Sequence, residues 1–154
     1  MTHTHWLDEH EQRAWRSLQF MQMRLSAELA RQLAEHSSLS YPDYIVLVAL
    51  VDQPDGRSRI FEVAREIGWE KSRLSHHIGR MVERGLVTRE KCDADRRGAF
   101  VVITPLGRGE LHAAAPGHVE AVRRLFIAGL SAQQLRVLAE VSEQTLARLD
   151  AATT

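Results

Sequence analysis

This 154-residue sequence predicts a mainly α-helical protein with one small β-hairpin wing, the winged helix-turn-helix class. Three observations carry that expectation. Two short amphipathic segments are joined by a Gly-containing turn at Ile67-Gly68-Trp69-Glu70. Two β-rich runs, 86–90 and 99–103, follow with a charged loop between them. Long helical patterns occupy both ends of the chain, in the order that gives a helix, turn, helix and hairpin at the centre.

Each element has its own signal. Residues 1–6 read as a short disordered lead. From Leu7 to His36 apolar residues recur at Leu7, Ala14, Trp15, Leu18, Met21, Leu25, Leu29 and Leu33, near helical period and without Gly or Pro. About thirty helical residues span roughly 45 Å, longer than one small core covers, so part of this stripe is expected to meet another chain. His36-Ser37-Ser38 is a break. Ser40, Pro42 and Asp43 supply a cap, a first-turn proline and a charge suited to a helix N-terminus. The run 44–51 is nearly all apolar; its β-branched content permits a strand, while the cap favours a buried helix. Gln53-Pro54-Asp55-Gly56 is a turn.

Ile60, Val63, Ala64 and Ile67 mark one face of the next helix, which Gly68 ends. A second helix begins near Lys71, with Leu74, Ile78, Met81 and Val82 as its apolar face and Ser72, Arg73, His76, Arg80 and Glu83 opposite. Ser75 and Gly79 lie at the edge, small enough for a close helix approach, and Gly85 is the stop. The loop 91–98 is too long for a two-residue turn. Thr104-Pro105 opens a helix by cap and first-position proline; Pro116 predicts a kink or break within it. Leu130-Ser131 is a turn and cap, and Leu135, Leu138, Val141, Leu146 and Leu149 carry the last helix. The expected division is a helical dimerisation region over 1–36 and 106–154 around a central region over 37–105. Pairing two copies through the ends covers apolar surface that a single core does not need.

The apolar fraction of 44% suits a globular chain. Net charge is zero, but residues 57–97 carry eleven Lys or Arg against seven Asp or Glu, and the remainder nine against thirteen. Basic character therefore gathers where the helix-turn-helix lies, as a footprint for phosphates would. No apolar run reaches the ~18 residues of a membrane span, and the N-terminus lacks a signal-peptide pattern, so a cytoplasmic protein is expected. The single Cys92 permits neither an internal disulfide nor a Cys-based metal cluster. A hydrolase or metalloenzyme needs a constellation such as H-E-x-x-H or G-x-S-x-G, and neither occurs. The sequence thus predicts no enzyme, no cofactor and no metal site.

A helix-turn-helix places the N-terminal residues of its second helix deepest in the DNA major groove. Here those are Lys71, Ser72, Arg73, Ser75 and His76. Arg73 is suited to a guanine edge, Ser72 and Ser75 to a base or phosphate. Arg80 and Arg84, further along, are candidates for phosphates. At the loop tip, Arg96 and Arg97 are placed to enter a narrow minor groove, where the potential is most negative, with Asp95 holding an arginine in pose. The competing reading is a helical protein–protein adaptor that keeps the winged-helix shape without binding DNA.

At this point the residues resemble a known family. IGWEKSRLSHHIGRMVERGLVTRE at 67–90, followed by DRRGAFVVITPLG at 95–107, looks like the multiple-antibiotic-resistance regulator (MarR) family. The family's wing pattern is matched by Asp95, Arg97, Gly98, Ile103, Thr104 and Gly107. The resemblance implies a homodimeric regulator of transcription, usually a repressor, that binds palindromic double-stranded DNA. It places Arg97 at the minor-groove position and implies release by a small aromatic or phenolic effector bound between the dimerisation and DNA-binding regions; Trp15, Met21, Tyr44 and Leu111 are candidates to line that pocket, though residues of these types are more often plain core or dimer interface. Two departures stand out: Glu70 occupies a position where the family often has a Ser cap, and His76 one where Arg is common. Relatives that sense oxidants carry a cysteine in the first helix, which this chain lacks.

Overall fold

A computed structural model describes residues 4–91 and 98–153. The first three residues of the expected lead, and the wing tip with Cys92, Asp95, Arg96 and Arg97, lie outside the described residues. Helix α1 runs Glu9–His36, two residues later than its apolar pattern begins, because Asp8 caps it: the Glu11 amide donates to Asp8 Oδ1 at 2.9 Å and the Asp8 amide to Glu11 at 2.9 Å. The ambiguous apolar run belongs to helix α2, Tyr41–Val51. Its cap decided the matter. The Asp43 amide donates to Ser40 Oγ at 3.1 Å and the Ser40 amide to Asp43 Oδ2 at 2.9 Å, a reciprocal pair that starts a helix where β-branched content alone permits a strand.

The turn at 53–56 closes with a Gly56 amide to Gln53 carbonyl bond of 2.9 Å. It leads into β1, Arg57–Arg59, a strand that the sequence pattern does not announce: three residues give no alternation to read. Helix α3, Ile60–Ile67, ends at Gly68 with φ 69°, and α4, Lys71–Glu83, completes the helix-turn-helix. Strands β2, Val87–Lys91, and β3, Ala99–Ile103, form the hairpin. The sheet order is β1-β3-β2, antiparallel throughout, with Val87 opposite Ile103 and Arg57 opposite Val102.

The core joins all these elements. Leu33 from α1, Leu47 and Leu50 from α2, Val63 from α3, Leu74, Ile78 and Met81 from α4, and Val101 from β3 are fully buried together. Each such side chain contributes roughly 1.5–3 kcal/mol of burial free energy, so the face of α4 that carries Leu74, Ile78 and Met81 is fixed inward and its opposite face outward. Val82, expected on the inner face, is exposed; it lies one turn past Ile78, at the edge of the inner stripe and one residue from the end of the helix.

Helix α5 spans Pro105–Leu125 without the break expected at Pro116. Proline removes one backbone donor inside a helix, and here the helix runs on through it. Thr104 caps α5: the Gly107 amide donates to its Oγ1 at 2.9 Å while that hydroxyl donates to the Gly85 carbonyl at 2.6 Å. Ser131 caps α6, Ala132–Ala152, accepting from the Gln134 amide at 3.1 Å. The chain divides into two compact units, Met1–His118 and Val119–Thr154, with the boundary inside α5.

Candidate nucleic-acid interface

Helix α4 presents Lys71, Ser72, Arg73, His76 and Arg80 to solvent, with Ser75 half-buried at the edge. The inward stripe of Leu74, Ile78 and Met81 enforces this placement for Ser72, Arg73, His76 and Arg80, which share the opposite face at about 100° per residue; Lys71, on the side of Ile78, is exposed because it opens the helix. Glu70 stands at the N-cap and makes no capping hydrogen bond; its negative charge still suits the positive end of the helix.

Two of the arginines are already engaged. The Arg73 guanidinium lies over the Trp69 ring at 4.1 Å, a cation–π contact from the residue that closes the turn. Arg80 donates through Nη2 to His77 Nδ1 at 3.0 Å. Arg84, a phosphate candidate in the sequence, makes two contacts inside the fold. It caps α4 at its C-terminus and reaches back to α2, donating to Asp43 Oδ2 at 2.6 Å and to the Ser38 carbonyl at 2.8 Å. Its partner across 41 residues is not visible in any local pattern.

Asp43 is 1% exposed. Burial opposes its charge, but the hydrogen bonds from His77, Arg84 and Ser40 outweigh that cost and hold the carboxyl well below the usual carboxylate range. His77 Nε2 stands 3.0 Å from Asp43 Oδ1. The contact is short but poorly directed, and both atoms are buried without a well-aligned hydrogen-bond partner among the described residues. The Trp69 ring meets the other side of the imidazole edge-on, centroids 5.6 Å apart. Ser40, Asp43, Trp69, Arg73, His77 and Arg80 border one cleft of about 480 Å³ between the start of α2 and the exposed side of α4.

The wing adds a residue that sequence reading missed. Arg89 on β2 crosses to α4 and donates to the Ser75 carbonyl and, at 3.3 Å, to Ser75 Oγ. What Ser75 and Gly79 meet is an arginine from the hairpin; a Cβ on Gly79 would stand in ordinary contact, 3.9 Å from the Arg89 guanidinium. The only signal for Arg89 is its parity: two residues after the buried Val87, it shares that face of β2. At the base of the sheet, Arg57 and Arg59 lie over the Phe100 ring at 4.0 and 4.9 Å, and Arg57 also pairs with Glu90 at 3.4 Å. Arg96 and Arg97 lie outside the described residues.

A basic helix face, a hairpin buttressed against it and the fold that holds both have close counterparts. The MarR family model matches residues 37–98. Transcriptional regulator HosA of Escherichia coli O127:H6 (strain E2348/69 / EPEC) is 34% identical over 123 residues, 79% of this chain and 89% of that protein. The chain belongs to the MarR family. Among solved MarR regulators, AbsC from Streptomyces coelicolor is 37% identical with a TM-score of 0.85, covering 96% of this chain and 99% of its own. Sco3205 from the same organism, solved in complex with DNA, is 35% identical with a TM-score of 0.85 over 94% of this chain and 91% of its own. This MarR protein is a DNA-binding transcription regulator, and among its described residues no helix is long and apolar enough to cross a membrane.

A second cleft of about 400 Å³ opens on another side of α2. Tyr41, Tyr44, Ile45, Val48, Ile67 and His118 line it. The His118 ring packs on Tyr44 at 4.4 Å and on Tyr41 at 6.2 Å. Burial lowers the His118 pKa and raises that of Tyr44, so both rings are neutral at pH 7. His118 Nδ1 is buried without a hydrogen-bond partner among the described residues. Of the four residues expected around an effector, only Tyr44 borders this cleft: Leu111 is part of the core, Trp15 is exposed and Met21 half-exposed on α1.

Proposed function

We propose that this MarR protein is a homodimeric repressor that places α4 of each copy in successive major grooves of a palindromic duplex. The observation that carries this reading is the outward face of α4, where Ser72, Arg73, His76 and Arg80 stand opposite the inward core stripe, with Lys71 exposed at the start of the helix. Lys71, Ser72, Arg73, Ser75 and His76 serve the groove, Arg80 a phosphate, and Arg96 with Arg97 the adjacent minor groove. Sco3205 in its DNA complex supports the mode of use. Selection of bound duplexes from random sequence tests it. An inverted repeat is the expected product, with affinity falling steeply as salt rises. Arg97→Ala then weakens binding to many sequences alike, while Arg73→Ala relaxes preference at one base pair. A stable dimer that selects no DNA would return the adaptor reading.

The second cleft supports release by a small aromatic or phenolic effector. The Tyr41, Tyr44 and His118 rings offer stacking faces, and the unpartnered His118 Nδ1 offers one hydrogen bond to a phenol hydroxyl. Titration of the DNA complex with simple phenols, followed by the same titration on Tyr44→Ala, tests this: release by the first and none by the second is the expected result.

A further inference from the structure

The exposed arginine in the last turn of α4 has a fixed anchor. Arg80 Nη2 donates to His77 Nδ1 at 3.0 Å. An imidazole nitrogen that accepts a hydrogen bond carries no proton, so the neutral ring bears its proton on Nε2. That is the nitrogen facing Asp43 Oδ1 at 3.0 Å. Asp43 cannot easily move away. Its other oxygen accepts from Arg84 at 2.6 Å and from the Ser40 amide at 2.9 Å, and the residue is buried at the first turn of α2. Trp69 closes the far side of the imidazole. Carboxylate, imidazole and guanidinium thus form a file running from the buried end of α2 to the solvent face of α4. All three border the cleft of about 480 Å³, but only the last member, Arg80, is exposed.

We propose that His77, aligned by Asp43, is a positioning residue for DNA binding: it holds the Arg80 guanidinium in place for a backbone phosphate of the bound duplex. Neither His77 nor Asp43 touches the DNA. Their contribution is preorganisation: an arginine already tethered loses less side-chain freedom when the phosphate arrives. The inference rests on the reading of Arg80 as a phosphate contact.

The test uses the intact homodimer and the tightest duplex recovered from a random-sequence selection. Affinity is measured across a salt series for the unaltered protein, Arg80→Ala, His77→Leu and the double variant. Arg80→Ala is expected to weaken binding and to flatten the salt dependence by about one phosphate contact per protomer. His77→Leu weakens binding roughly tenfold per dimer through lost preorganisation, and has no further effect when Arg80 is already Ala. Asp43→Asn gives the same dependence on Arg80, which keeps the test decisive if the Leu variant does not fold. His77→Gln, which retains a donor and an acceptor, holds affinity to within about threefold. Equal losses from His77→Leu with and without Arg80 would overturn the proposal, since a purely structural role predicts that result. An unchanged salt dependence in Arg80→Ala would overturn the phosphate reading itself.

Discussion

The centre of this molecule and its two end helices read alike in sequence and behave oppositely in structure. Helix α2 buries Asp43, Tyr44, Val46, Leu47, Ala49 and Leu50, and α4 buries its whole inner stripe. Helix α6 buries nothing, although Leu135, Leu138, Leu146 and Leu149 lie on one helical face. In α1 only Leu29 and Leu33 are buried, while Trp15, Leu18, Phe20 and Met23 are exposed. Periodicity identifies an apolar face; it does not say what covers it. A face left open over many turns, on two helices of one chain, is the surface a second copy would cover in the proposed homodimer.

The strongest way to break this comparison is to treat both regions equally. Leu47→Ala is expected to cost about 2–5 kcal/mol of stability in denaturant unfolding, as for a large-to-small change in a closed core. Leu146→Ala in a forced monomer should cost almost nothing. Comparable losses would mean that the ends and the centre are the same kind of core. Next in size is Leu146→Asp with Leu149→Asp. Sedimentation is expected to give a monomer, and DNA affinity to fall on the order of a hundredfold as the two half-sites lose their linkage. A dimer that survives both charges would move the interface elsewhere.

Two smaller effects sharpen the account of the centre. Asp43 has a folded pKa below its unfolded value of about 3.9. Its contribution to stability is therefore complete above about pH 4 and is lost as pH falls toward the folded value. Thermal unfolding between pH 7 and pH 3 should show a drop that Asp43→Asn lacks, because the amide has no proton to gain. Smallest is a gain. Glu70→Ser supplies the missing cap of α4 and should raise stability by about 0.5–1 kcal/mol in the same assay.

Much of the fold is legible because its signals are local. Ser40 with Asp43, Ser131 with Gln134, Gly68 and Thr104-Pro105 each mark a boundary within four residues, and each boundary is where it was expected. The exposed face of α4 was legible for the same reason: one stripe of apolar residues dictates its opposite. What escaped depends on distance in the chain. Arg84 reads as a surface arginine until Asp43 is placed beside it, and Asp43 reads as a capping residue until His77 and Arg84 bury it. Arg89 reads as one more charged residue of the hairpin, and only the packing of the hairpin against α4 brings it to Ser75. Strand β1 exists only because β3 is there to pair with it.

Gly107 lies so close to the Leu86 carbonyl that no side chain fits between them, and Thr104 clamps the same spot to Gly85. The first turn of α5 and the root of the hairpin are consequently one solid joint, without a cushion of side chains to absorb movement. A tilt at the head of that helix is geared straight into the angle of the strands, so the hairpin's aim is set by a place well away from its tip.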